Sequence, residues 1–298
     1  MPEHVSFFDA AEANKRNTWI FIAVMFILFL AMMTALSYVF RLGACGPILG
    51  FAFLFFYTLA VYYQGDKVLL SLSGAREVTE REQPFLYNVV EGLALASSVP
   101  VPKIYIINDP SPNAFATGRD PQHSSVAVTS GLLQMMNREE LEGVLAHEMS
   151  HVANFDIRFS MVAIVFAGAI ALIGEFAMRS MFWGGLRGGD RRRGGGEGIF
   201  LLVALVFIIL APIFAQLVRL AISREREYLA DANGAKLTRY PPGLASALEK
   251  IKNANIPTKA ATDTTASLYF ANPFPDKLNL FLSTHPPIDD RIKRLRAM

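Results

Sequence analysis

The chain has 298 residues, 52% of them hydrophobic, and a mean hydropathy of +0.32, too apolar for an ordinary soluble domain. A net charge of +2 offers no bulk electrostatic case for nucleic acid. The single Cys45 excludes a disulfide framework and a thiolate zinc site within one chain.

Residues 1–17 are polar and mixed in charge. Thr18–Phe40 then runs without a charge and is long enough to cross a hydrocarbon core of about 30 Å. It exceeds the apolar region of a signal peptide, and no obvious cleavage site follows it. Ala44–Tyr63 is a second such run. Together they predict a tight helical hairpin, with Tyr57, Tyr62 and Tyr63 at the membrane interface. From Gln64 the composition becomes globular. An amphipathic helix is predicted over Arg81–Ser98. Strands follow at Lys103–Asn108, Asn113–Thr117 and Ser125–Thr129, with turns at Asp109–Pro112 and Gly118–Ser124. A short helix over Gly131–Met136 leads onward, so this lobe reads as α+β, a small sheet beside a helix.

That helix, in Asn137–Asp156, carries His147-Glu148-Met149-Ser150-His151. Leu141, Val144, Leu145 and Val152 recur at helical spacing, and Asn137 with Glu140 reads as a capping box. Histidines four apart lie on one helical face, so both imidazoles can reach one metal ion. Zinc suits two neutral imidazoles and a carboxylate with one position left for water, and Glu148 is placed to take that water's proton. Only five histidines occur in the chain, which makes an accidental pair around a glutamate a poor explanation.

Arg158–Met178 is a third apolar run. No Gly or Pro lies between His151 and Gly168, so the motif helix is free to run on into it. Residues 184–198 are Gly- and Arg-rich and read as a flexible linker. Ile199–Ile222 is a fourth run, which Pro212 can kink. The helical pattern continues through Ser223–Asp231, either ending at Asn233-Gly234 or passing through to Leu237. Leu244–Ala254 and Ile288–Leu295 are further helices, and Ile256–Lys277 reads as a polar loop. Antiparallel pairing of the third and fourth runs would bring the motif helix and Arg224–Asp231 together just outside the bilayer. Glu225, Glu227 and Asp231 then compete as the third ligand; if Glu227 ligates, Asp231 one turn on can hold a ligand imidazole by its other N–H.

Several motifs in order carry a resemblance: PNAFATG at Pro112–Gly118, HEMSH at His147–His151, SREREYLAD at Ser223–Asp231, and His285-Pro-Pro ending in Arg291, set among four apolar runs. Over nearly its whole length the chain resembles the HtpX-type membrane metalloproteases, of the same zinc peptidase family as the CAAX-prenyl endopeptidases. The resemblance implies His147, His151 and Glu227 as ligands of one Zn2+ per chain and Glu148 as general base. It implies a supporting role for Asp231, and His285 and Arg291 near the active site. His285 would stabilise the oxyanion or, as a rival role, occupy the open zinc position. Asn113, Ala114 and Phe115 would pair with the substrate backbone. The fold implied is an α+β, mainly helical, zincin-like membrane protease with about four transmembrane helices.

The organisation expected is an N-terminal hairpin (1–63), a first catalytic part (64–157), a second transmembrane pair with its linker (158–222) and a second catalytic part (223–298). The implied activity is zinc-dependent cleavage of misfolded or damaged membrane proteins in quality control and stress. A bacterial inner membrane with the site on the cytoplasmic side accounts for the Lys and Arg in 64–157 and after 222, but it puts the Arg-rich linker outside, against the positive-inside tendency. An intramembrane site-2-type protease is disfavoured by Arg138, Glu139, Glu140 and Glu142 ahead of the motif. A latent scaffold or chaperone is disfavoured because every ligand and the base are present.

Overall fold

The computed structural model describes residues 7–39, 43, 45–166, 224–262, 265–274 and 286–298. The 184–198 linker, the fourth apolar run, most of the third and His285 lie outside the described residues. The chain divides into two compact units, one of residues 1–17, 63–161 and 221–298, the other of 18–62 and 162–220.

The second unit holds the apolar lengths of α1 (Phe7–Val39) and α2 (Cys45–Leu72). Trp19 stacks on Tyr62 at 6.1 Å and Phe26 meets Phe51 edge-on at 5.1 Å, a pairing of antiparallel helices. The Tyr57 hydroxyl donates to the Val165 carbonyl at 3.0 Å. Ile27, Ile48, Leu49, Phe53 and Phe56 face outward, each 63% to 68% exposed. Among the described residues, Glu12–Ala31 and Pro47–Leu72 lie in helices long and apolar enough to cross a membrane. Both helices outrun their uncharged stretches, because charges such as Asp66 and Lys67 do not stop a helix. The second ends at Leu72, and Gly74, with φ 62, turns the chain after it.

The first unit is built on a four-stranded sheet in the order β1-β2-β4-β3, with β1 (Ala75–Glu77), β2 (Lys103–Ile107), β3 (Ala114–Gly118) and β4 (Ser124–Thr129). β2 runs parallel to β4; the other two pairings are antiparallel. Strand β1 had no sequence signal, since three residues show no period; pairing with Tyr105–Ile107 defines it. Helix α3 (Pro84–Ser97) starts at Pro84 rather than Arg81, because Glu82 folds back to accept from Thr79 N–H at 2.8 Å and Pro84 suits a first helical turn. Helices α4 (Ser130–Met135) and α5 (Arg138–Ala153) follow β4. The chain is thus mainly helical with a small mixed sheet.

Helix α5 does not run on. Asn154 caps it, Phe155 takes a left-handed φ of 61, and a new helix, α6 (156–166), begins. A non-glycine residue tolerates that conformation at a cost which the surrounding hydrogen bonds offset. Helix α7 (Arg224–Thr238) passes through Asn233-Gly234 without capping there. Then come α8 (Pro241–Ala254) and α9 (Ile288–Arg296). The segment 256–274 is irregular but not polar throughout: Leu268, Tyr269, Phe270 and Ala271 are buried.

Helix α5 is the axis of this unit. From Gly143 to Ala153 only His151 is less than fully buried. Val144, Leu145 and Met149 pack with Val90 and Leu93 of α3, Val126 and Val128 of β4, and Leu244 and Leu248 of α8. A helix enclosed on all sides shows no single apolar stripe. Its approach to α8 depends on Gly143, where a Cβ would lie 2.8 Å from Leu244 Cα. Gly143→Ala is therefore expected to lower stability by about 1–3 kcal/mol, read by denaturant unfolding in detergent.

Candidate metal centre and active site

The Asn137 side chain accepts from Glu140 N–H at 2.9 Å and Glu140 accepts from Asn137 N–H at 2.9 Å, so the box that starts α5 is complete. Glu140 also accepts from Ser246 and Lys250 of α8, each at 2.7 Å, which holds its carboxyl below its usual pKa against the pull of burial. This end of α5 is thereby fixed, and the turns that follow carry His147, Glu148 and His151 inward. Helix α7 lies close against them. A Cβ on Gly234 would stand 3.0 Å from His147 N, so only glycine leaves the separation as it is.

That approach places Glu227 beside the histidines, and the candidate ligand atoms of His147, His151 and Glu227 all lie within 4.8 Å of one another. The two Nε2 atoms are 3.1 Å apart. Glu227 reaches His147 Nε2 at 3.7 Å and His151 Nε2 at 3.5 Å. Each outer nitrogen meets a carboxylate: His147 Nδ1 is 2.9 Å from Asp231 and His151 Nδ1 is 3.0 Å from Asp156. A proton on each Nδ1 leaves the Nε2 lone pairs facing the centre, a donor set of two imidazoles and one carboxylate that suits zinc.

The electrostatics suit a site for a cation. Burial lowers His147 to about 4, outweighing Asp231, so its ring is neutral near pH 7. Burial opposes charge on His151 too, but the carboxylates of Asp156 and Glu227 hold its pKa well above the usual value. Nitrogens 3.1 Å apart share at most one proton, and a metal ion would take that proton's place. Burial and the neighbouring Glu227 raise Glu148 to about 7.

Glu148 opens into a small cavity lined by Ala116, His151, Arg226, Glu227 and Leu268. Ala116 of strand β3 lines the same cavity, so the acid stands beside that strand. Sequence reasoning placed substrate pairing at Asn113, Ala114 and Phe115. In the structure Asn113 is stapled to the 256–274 segment, donating to Thr258 at 3.1 Å and to the Ala271 carbonyl at 3.0 Å. The Ala114 carbonyl accepts from Phe270 N–H at 2.8 Å, and Phe115 packs edge-on against Tyr269.

Asp231 and Arg291 form a second buried layer. The guanidinium reaches both carboxylate oxygens, at 2.8 and 2.7 Å, and donates to the Phe270 carbonyl at 3.0 Å. The Phe270 ring stands 4.9 Å from the His147 ring and 4.7 Å from the Arg291 guanidinium. Arg291 and His147 outweigh burial and hold Asp231 at about 2. Sequence reasoning missed Asp156 and Phe270. Five residues separate Asp156 from His151, a spacing with no meaning on a continuous helix. Phe270 sits in a stretch taken as polar, though Leu268-Tyr269-Phe270 was a visible apolar run.

Arg291 is 2% exposed, so Arg291→Ala would strand the Asp231 carboxylate without its partner. The expected loss is about 3–5 kcal/mol in detergent unfolding. Adding Asp231→Ala should recover part of it, because the stranded charge is then gone.

A model of peptidase family M48 matches residues 80–298. The chain is 50% identical to the protease HtpX homolog of Dictyoglomus thermophilum, over 98% of this chain and 95% of that protein. It is 44% identical to the protease HtpX homolog of Streptococcus gordonii, over 98% and 99%. Among solved structures, the crystal structure of S. mikatae Ste24p matches with a TM-score of 0.49 and 19% identity, over 92% of this chain and 62% of that one, so the chain spans less than two thirds of that protein. With the family match containing the His147–His151 helix, Glu227 and Arg291, and with relatives near half identical end to end, the chain belongs to peptidase family M48.

Proposed function

We propose that the chain is a membrane-bound, zinc-dependent endopeptidase that cuts misfolded or damaged membrane proteins. The observation that carries this reading is the buried His147–His151–Glu227 cluster with Glu148 beside it at the edge of a strand. Membership of a peptidase family supports hydrolysis of peptide bonds, and the HtpX names of the relatives support the membrane setting. Two long apolar helices with large outward-facing side chains support it as well. In this reading residues 64–157 and 223–298 form the catalytic body, and the site faces the cytoplasm at the plasma membrane.

His147, His151 and Glu227 would hold the zinc ion, which supplies Lewis acidity toward a water and a scissile carbonyl. The remaining work belongs to the chain. Asp231 and Asp156 keep both imidazoles in the ligating tautomer. Glu148, largely stripped of water, accepts a proton from the attacking water and returns it to the leaving amine. A substrate strand adds along β3, where backbone pairing binds it with little sequence preference. Phe270 already takes the Ala114 carbonyl, so pairing starts at Ala116, next to Glu148. His285 is the candidate oxyanion donor, with the latent zinc-blocking role as its rival.

Detergent-purified protein should cleave casein or itself. Glu148→Gln should reduce the rate by about 10²- to 10⁴-fold while retaining one zinc per chain. His147→Ala should lose both metal and activity, and chelation should silence the wild type until zinc is restored. Cleavage by Glu148→Gln at the wild-type rate would sink the assignment of the base.

A further inference from the structure

Asn14, about two turns into α1, reaches the turn that ends α5. Asn14 is 6% exposed, and its side-chain amide directs both hydrogens at the turn that ends α5. One goes to the Asn154 carbonyl at 2.9 Å, the other to Asp156 Oδ1 at 2.7 Å. The opposite oxygen, Asp156 Oδ2, stands 3.0 Å from His151 Nδ1. Arg226 also pairs with Asp156, but its Nη1 stands 3.7 Å from Oδ1, a longer contact than the Asn14 hydrogen bond. The close donor holding this carboxylate is therefore an amide from a helix that begins more than a hundred residues earlier. The turn it grips includes Phe155, whose left-handed φ of 61 needs such support.

We propose that Asn14 is a positioning residue of the metal site: it clamps Asp156, and through it the His151 ring, so that Nε2 faces the metal. This rests on the metal-site reading above. Residues behind a ligand commonly change metal affinity when removed, because an imidazole free to rotate must be ordered again on binding. Lys15 supplies the control, since it touches the same turn through the Phe155 ring, 4.1 Å from its centre, without reaching Asp156.

The test uses the full chain in detergent, with zinc affinity read by chelator competition and ligand geometry by the visible bands of the cobalt(II)-substituted protein. Asn14→Ala should weaken zinc about tenfold and alter the cobalt bands, while Lys15→Ala changes neither. Asp156→Ala should weaken zinc at least as much, and Asn14→Ala added to it should cost nothing further. Asn14→Asp, nearly the same size, sets a carboxylate against Asp156 and should weaken zinc even if the alanine variant folds poorly. Wild-type affinity in both Asn14 variants, an equal loss in Lys15→Ala, or fully additive losses with Asp156→Ala would each overturn the proposal. Wild-type zinc affinity in His147→Ala would instead remove the metal site itself.

Discussion

Two imidazole nitrogens held 3.1 Å apart inside a buried helix need charged partners, because water is not there to solvate them. Much of the first unit answers that requirement. Asp231 and Asp156 take the outer nitrogens, Arg291 takes Asp231, and Asn14 takes Asp156. Each layer leaves one polar group to be satisfied by the next, until the network reaches backbone carbonyls at Phe270 and Asn154. Such a network is stiff, since loosening one member exposes the next to an unpaired buried charge. A metal site at this cluster would benefit from that stiffness, because imidazoles that cannot rotate need no further ordering on binding an ion.

Packing around α5 makes the network possible. Glycine at 143 lets α8 approach its backbone at a distance no side chain would allow, and glycine at 234 lets α7 pack where a Cβ would already be tight. Glu227 and Asp231, one turn apart on α7, then point at the same helix, one toward the centre between the imidazoles and the other at the far side of His147. The sheet contributes differently. Its edge strand β3 lines the Glu148 cavity through Ala116 and is covered at its start by Phe270 and Ala271, so Glu148 lies beside the open part of the edge. The acid proposed to move the proton and the surface proposed to bind the peptide are thus parts of one arrangement.

Local signals in the chain were strong where geometry depends on near neighbours. The box of Asn137 and Glu140 starts α5 where its residues say it should, and the four-residue spacing of His147 and His151 puts both on one face. The same reasoning failed at Phe155. No glycine or proline in ANFD marks a break, and the left-handed turn is held by Asn14 from afar. It failed again at 268–271, where residues in an otherwise polar segment are buried because they cover β3 and the His147 ring.

The sequence by itself determined the elements and the inventory: two long apolar helices, a small sheet, and a helix with two histidines flanking a glutamate. Periods of two and of 3.6 residues are written locally, and so is the spacing of a ligand pair. The choice among Glu225, Glu227 and Asp231 was not local, and only the resemblance to a family favoured one of them before the packing of α7 on α5 was known. The tertiary structure alone decided that Asp156 serves His151, that Phe270 lies between His147 and Arg291, and that Asn14 reaches the site. Those are contacts between side chains as much as 142 residues apart, set by how enclosed helices pack, and no periodicity records them.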